Sequence, residues 1–292
     1  MSPKPRLCHV ITRMVAGGAQ KVVLDLARQL KDEYEVHVVS GPETGHEGSL
    51  WDELRQVLPA ENIHVCRYLV RNVRPHKEYL AYRQLLHIFR KLRPDIVHTH
   101  TSKAGIWGRL AARAAKVPRI VHSTHGLIYS NNAQIPGVSG RRLMLKICKA
   151  MDRRAGRCSD AIICLSEKEV GNSLRLNLGP SGRTYCIPNG IPLQAFKAIE
   201  RHPQQWEKAG LTLATAGRLN KEKGHAVLLN IFARLGAKFP ELRLKIAGDG
   251  PLLERLRSQA ARLGIDDKVD FLGYQSDMVA FLASADIFVL SS

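Results

Sequence analysis

The feature that most constrains this chain is a repeated alternation of two hydrophobic periods. Short β-branched runs at 6–12, 34–40, 63–68, 95–98, 119–123, 161–165 and 184–187 read as strands. Between them, 19–30 sets Val22, Val23, Leu26, Ala27 and Leu30 on one stripe, and 78–92 and 104–115 behave alike, so these read as helices. Strand and helix in strict succession predict a parallel sheet covered on both faces. Pro188-Asn189-Gly190-Ile191-Pro192 interrupts the pattern, and the polar stretch after it reads as a linker. A second series follows, with strands at 211–216, 242–247, 268–272 and 287–290 and helices at 224–238, 251–263 and 276–283. The expectation is an α/β chain with domains at 1–190 and 210–292, joined by 191–209.

Length and composition agree. At roughly 150 residues per domain, 292 residues suit two domains. With 45% hydrophobic and 24% charged residues, disorder is excluded. Six cysteines (Cys8, Cys66, Cys148, Cys158, Cys164, Cys186) form no C-x-x-C pair, so neither a zinc ribbon nor a dithiol redox site is suggested. No apolar run approaches the roughly 20 residues of a membrane span, and the N-terminus shows no signal-peptide core, so a cytoplasmic location is the expectation. The net charge is +18, and it is lopsided. Residues 211–292 hold 11 basic and 9 acidic side chains, leaving 33 and 17, or +16, on residues 1–210. Nucleic acid, an anionic membrane and a phosphorylated substrate all fit that charge. With 6% aromatic residues and no recognition motif, nucleic acid is not the expected partner.

Three glycine loops follow strands. Gly17-Gly18 precedes the first helix, where free N–H groups suit an anion, although a plain turn is the ordinary alternative. Gly217-Arg218-Leu219-Asn220-Lys221-Glu222-Lys223-Gly224 brings a planar guanidinium and an ammonium to a turn that opens a helix. A diphosphate suits it, and a solvated charged turn is the alternative. Gly248-Asp249-Gly250-Pro251 ends the next strand on the same side of the sheet, and the three loops together suggest a nucleotide in an interdomain cleft. Four histidines (His98, His100, His122, His125) sit at strand ends. His98 and His100 are a conceivable H-x-H metal pair, but no carboxylate completes it, so no metal is expected and His125 is the preferred polar group. The cationic run 141–157, with Arg141, Arg142, Lys146, Lys149 and Arg153, reads as a basic amphipathic helix. It suits an anionic membrane surface, or a domain helix with a wet basic face.

GGAQ at 17–20, HTHTSKAGIWGRLAARAAKVP at 98–118, THG at 124–126, IICLSE at 162–167, IPNGI at 187–191, GRLNKEKG at 217–224, IAGDGP at 246–251, VDFLGY at 269–274 and DIFVLSS at 286–292 together resemble a retaining glycosyltransferase of family 4. The likeness is to the bacterial enzymes of capsular, exo- and lipopolysaccharide synthesis. It implies a GT-B architecture of two Rossmann-like doubly wound parallel-sheet domains, the first for the acceptor and the second for a UDP- or GDP-type sugar. Arg218 and Lys223 then match the pair that neutralises the donor diphosphate, Gly17 and Gly18 the loop that approaches the donor, and His125 the histidine near the reacting sugar. Gly248 and Gly250 join the donor site.

The same resemblance implies a lipid-linked or saccharide acceptor, peripheral contact with the inner membrane surface, retention of anomeric configuration, and neither metal nor cofactor. Family members carry two glutamates seven residues apart just after the DIFVLSS-like strand. This sequence stops at Ser292, so the second domain is expected to be incomplete and the chain weakly active or inactive. The rivals are a non-catalytic remnant that binds acceptor or membrane, and a sugar-nucleotide epimerase, for which no acid–base pair is apparent.

Overall fold

The computed structural model describes residues 3–42, 48–126, 129, 141–191, 193–197 and 210–291. The chain divides into two compact units, Met1–Thr44 with Ser49–Gly190, and Gly45–Gly48 with Ile191–Ser292. Most of the expected linker, residues 198–209, lies outside the described residues.

In the first unit the strands are β1 (Arg6–Ile11), β2 (Glu35–Ser40), β3 (Ile63–Val65), β4 (Ile96–His100), β5 (Arg119–Ser123), β6 (Ala161–Cys164) and β7 (Thr184–Cys186). All pair in parallel, in the order β3-β2-β1-β4-β5-β6-β7. The helices are α1 (Gly18–Leu30), α2 (Trp51–Val57), α3 (Pro75–Leu92), α4 (Ser102–Ala114), α5 (Arg141–Gly156) and α6 (Glu167–Arg175). The pleat divides each strand between two cores. Leu7 and Ile11 of β1 join Val23, Leu24 and Ala27 of α1, whereas Cys8 and Val10 join Leu85 and Phe89 of α3 and Ala111 of α4. Burying each leucine of this kind contributes about 1.5–3 kcal/mol.

Helix α4 lies close on its sheet because its inward positions are small. A Cβ on Gly108 would fall 2.7 Å from Thr99 Cγ2, and one on Gly105 would fall 2.4 Å from His122 Cε1. His122 therefore belongs to the α3/α4 face. The β1–β4 register sets His9 beside His98, and both point with Leu7 and Ile11 toward α1.

The second unit has β8 (Thr212–Ala216), β9 (Arg243–Ala247), β10 (Val269–Gly273) and β11 (Ile287–Phe288), with α7 (Leu193–Lys197), α8 (His225–Gly236), α9 (Leu253–Arg262) and α10 (Met278–Ala283). Its parallel sheet runs β10-β9-β8-β11, the same reversal beside the first strand as in the first unit. Leu228, Leu229 and Phe232 of α8 fill its core with Leu244 and Ile246.

Several boundaries differ from the sequence expectation. β3 ends at Val65, because β2 offers partners only as far as Ser40. β4 runs on to His100, since Thr99 and His100 pair with His122 and Ser123. Periodicity did not reveal α2 or α6, which have 7 and 9 residues. At that length local propensity is weak, and packing decides.

Candidate active site

Helix α1 begins at the glycine loop without a capping side chain and without an acidic residue in its first turn. Its N-terminal N–H groups and positive dipole end are thus left for an anion. A Cβ on Gly18 would meet nothing within 4 Å, while one on Gly17 would meet only the tip of Gln20.

Below this edge lies a row of three imidazoles. His9 Nδ1 stands 3.1 Å from His100 Nε2, and His100 Nδ1 stands 3.0 Å from His125 Nε2. Burial pushes His9 down to about 4 and holds His98 and His100 well below the usual imidazole range, with neighbouring imidazoles adding to the effect. Burial also lowers His125, against an opposing pull from Glu169. Neutral imidazoles carry one N–H each, so the row has a single polarity along its length. Its end atoms, His9 Nε2 and His125 Nδ1, are buried without a partner among the described residues.

His125 sits in a left-handed turn, with φ of 50° followed by 98° at Gly126. Glu169 holds that turn. Its Oε1 accepts from Thr124 Oγ1 at 2.6 Å and from the Gly126 N–H at 2.9 Å, and its Oε2 accepts from the Leu165 N–H at 2.7 Å. Sequence reasoning missed Glu169, although Ser166-x-x-Glu169 carries a capping signature and Ser166 Oγ does accept from the Glu169 N–H. It also missed His9, which no local signal distinguishes from a core residue.

In the second unit, the loops after β8 and β9 are fused backbone to backbone. The Gly217 N–H donates to Ala247 O at 2.9 Å, Leu219 N–H to Asp249 O at 2.9 Å, and Leu252 N–H to Leu219 O at 3.1 Å. A Cβ on Gly248 would stand 2.1 Å from Gly217 O, and one on Gly250 2.6 Å from Leu219 O, both at positive φ. Those glycines are required by loop packing whatever else they do. The Lys223 stem folds over Gly217, within 3.6–3.7 Å of where a Cβ would be, and the Lys223 N–H donates to Asn220 Oδ1 at 3.3 Å. Half-buried Arg218 and exposed Lys223 are thereby held at one end of β8.

Helix α5 is anchored by its C-terminal half. Asp152 pairs with the buried Arg109 guanidinium, and Arg153 Nε donates to Leu176 O at 2.8 Å. Toward its start, Leu143 and Ile147 are exposed, one turn apart, beside exposed Lys146, while Lys149 is half-buried. The side chains of Arg141 and Arg142 lie outside the described residues.

Two doubly wound units with glycine loops at their strand ends fit the GT-B architecture. Residues 16–195 match the profile of Glycosyltransferase Family 4 and residues 196–292 that of Glycosyl transferases group 1. The chain belongs to glycosyltransferase family 4. It is 27% identical, over 99% of its length and 74% of the relative's, to the UDP-Gal:alpha-D-GlcNAc-diphosphoundecaprenol alpha-1,3-galactosyltransferase of Escherichia coli. It is 28% identical, over 73% of its length, to the alpha-monoglucosyldiacylglycerol synthase of Streptococcus pneumoniae, of which the match spans 50%. Among solved structures, a glycosyltransferase of Rickettsia africae superposes with a TM-score of 0.69 at 18% identity, over 99% of this chain and 73% of that one.

Proposed function

We propose that this chain moves a sugar, with retention, from a UDP- or GDP-type donor to a lipid-linked or saccharide acceptor in surface-polysaccharide synthesis. The observation that carries the reading is the fused pair of loops in the second unit, which fixes Arg218 and Lys223 at one strand end. Two cations there neutralise the donor diphosphate and stabilise the charge that develops on it as the glycosidic bond breaks. The transfer chemistry then rests on these cations rather than on a metal or cofactor. In the first unit, His125, with its tautomer tied to His100, serves as a neutral hydrogen-bonding group, and the N-terminus of α1 at Gly17 and Gly18 offers its N–H groups to an anion.

The acceptor class follows from the E. coli relative, whose name specifies a diphosphoundecaprenol-linked sugar, and from the +16 charge on residues 1–210. Among the described residues no helix is long and apolar enough to cross a membrane. Contact with an anionic bilayer would use Leu143, Ile147 and Lys146 of α5 at the headgroup level.

Calorimetric titration with UDP and GDP tests the donor reading. One of them binds, and Arg218→Ala and Lys223→Ala each weaken it by about 10–100-fold, the loss expected for a charge-assisted contact. Absence of binding by both nucleotides, together with retention on anionic liposomes, would favour the non-catalytic binding protein instead.

A further inference from the structure

Three imidazoles converge on the α1 face of the first sheet. The β1–β4 register places His9 against His98, and the pleat adds His100 two residues on, so all three side chains leave the same face. One ring nitrogen from each lies within 4.8 Å of the other two. The His9 Nδ1 to His100 Nε2 separation is 3.1 Å. Two nitrogens bound at about 2.0–2.1 Å to one tetrahedral zinc stand about 3.3–3.4 Å apart. Without an ion the pair shares a hydrogen bond; on one ion both nitrogens turn a lone pair to the metal at a spacing only about 0.2–0.3 Å wider.

The second ring nitrogens of His100 and His98 are tied as those of metal ligands are. His100 Nδ1 meets His125 Nε2 at 3.0 Å, and His98 Nε2 meets Ser123 Oγ at 2.8 Å, contacts that fix tautomer and ring orientation. His9 and His100 are fully buried and His98 half-buried, so the cluster is enclosed.

We propose that His9, His98 and His100 bind one divalent transition-metal ion of the zinc(II) class, which pins β1 to β4. An all-imidazole set without carboxylate or thiolate selects zinc, cobalt, nickel or copper over magnesium and calcium. The ion's part is structural, and the site stands or falls independently of the donor reading.

The test uses the untagged chain, stripped with a chelator and titrated with cobalt(II). One equivalent binds, giving the visible ligand-field bands of a four- or five-coordinate ion, and one equivalent of zinc(II) displaces it. His98→Gln lowers the affinity by about tenfold or more, while His87→Gln, at an exposed position of α3, leaves it unchanged. X-ray absorption of the zinc form, which requires no variant to fold, counts three imidazoles at about 2.0 Å. Failure of the stripped chain to retain either metal would overturn the assignment. So would an absorption edge dominated by oxygen or sulfur donors, or unchanged binding by a folded His98→Gln chain.

Discussion

Among the described residues Arg109 is the largest fully buried side chain, and replacing it tests whether the first unit depends on a paired interior charge. Its Nε donates to Gly105 O at 2.7 Å, one Nη reaches Ser159 Oγ at 3.5 Å, and the other meets Asp152, itself 6% exposed. Arg109→Met keeps most of the volume but strands the Asp152 carboxylate, whose remaining side-chain hydrogen bond among the described residues is from the Tyr129 hydroxyl at 2.8 Å. Breaking a buried pair from one side costs about 3–5 kcal/mol, or about two to three and a half powers of ten in the opening equilibrium. The double change Arg109→Met with Asp152→Leu removes both charges, and Tyr129 keeps Cys148 O at 3.3 Å, so it recovers much of the loss. Hydrogen exchange read by mass spectrometry resolves the effect. Peptides of α4 and α5 lose protection in the single variant and regain it in the double, while α8 in the other unit is the internal reference. Wild-type exchange in Arg109→Met, or a double variant no better than the single, would refute the reasoning.

Glu169→Gln keeps the size of the side chain but removes the charge behind three hydrogen bonds, so it loosens the 124–126 turn and lowers stability by about 1.5–3 kcal/mol, read as a fall in Tm. Gly248→Ala drives a methyl into Gly217 O at φ +131°, which destabilises the second unit by about 1–3 kcal/mol from backbone strain alone and weakens UDP or GDP binding in the same calorimetric assay. Gly171→Ala, inside α6 with nothing within 4 Å of the new methyl, stabilises by about 0.5–1 kcal/mol in urea unfolding. Lys146→Glu reduces co-sedimentation with anionic liposomes at low salt and leaves neutral liposomes unaffected.

Where a signal is local, the residues carry it. The alternating hydrophobic periods place every strand of both sheets, because pleat and helical pitch are properties of a few consecutive residues. Glycines at 217, 248 and 250 mark their loops, because positive φ or close backbone approach is visible as residue type, whereas Gly17 is extended and a Cβ on Gly18 would meet nothing within 4 Å. The family follows from the order of such loops along the chain.

What tertiary structure alone decides is partnership. His98 and His100 look like an incomplete pair until β1 inserts beside β4 and brings in His9, 91 residues before His100. Histidine 122, which belongs with the others by sequence, is carried to the opposite face by a one-residue shift in the pleat. Glu169 reaches back 45 residues to Thr124, and Arg109 finds Asp152 43 residues on. These contacts depend on strand order and register, which arise from packing the whole sheet between its helices, and no window of local sequence encodes that competition.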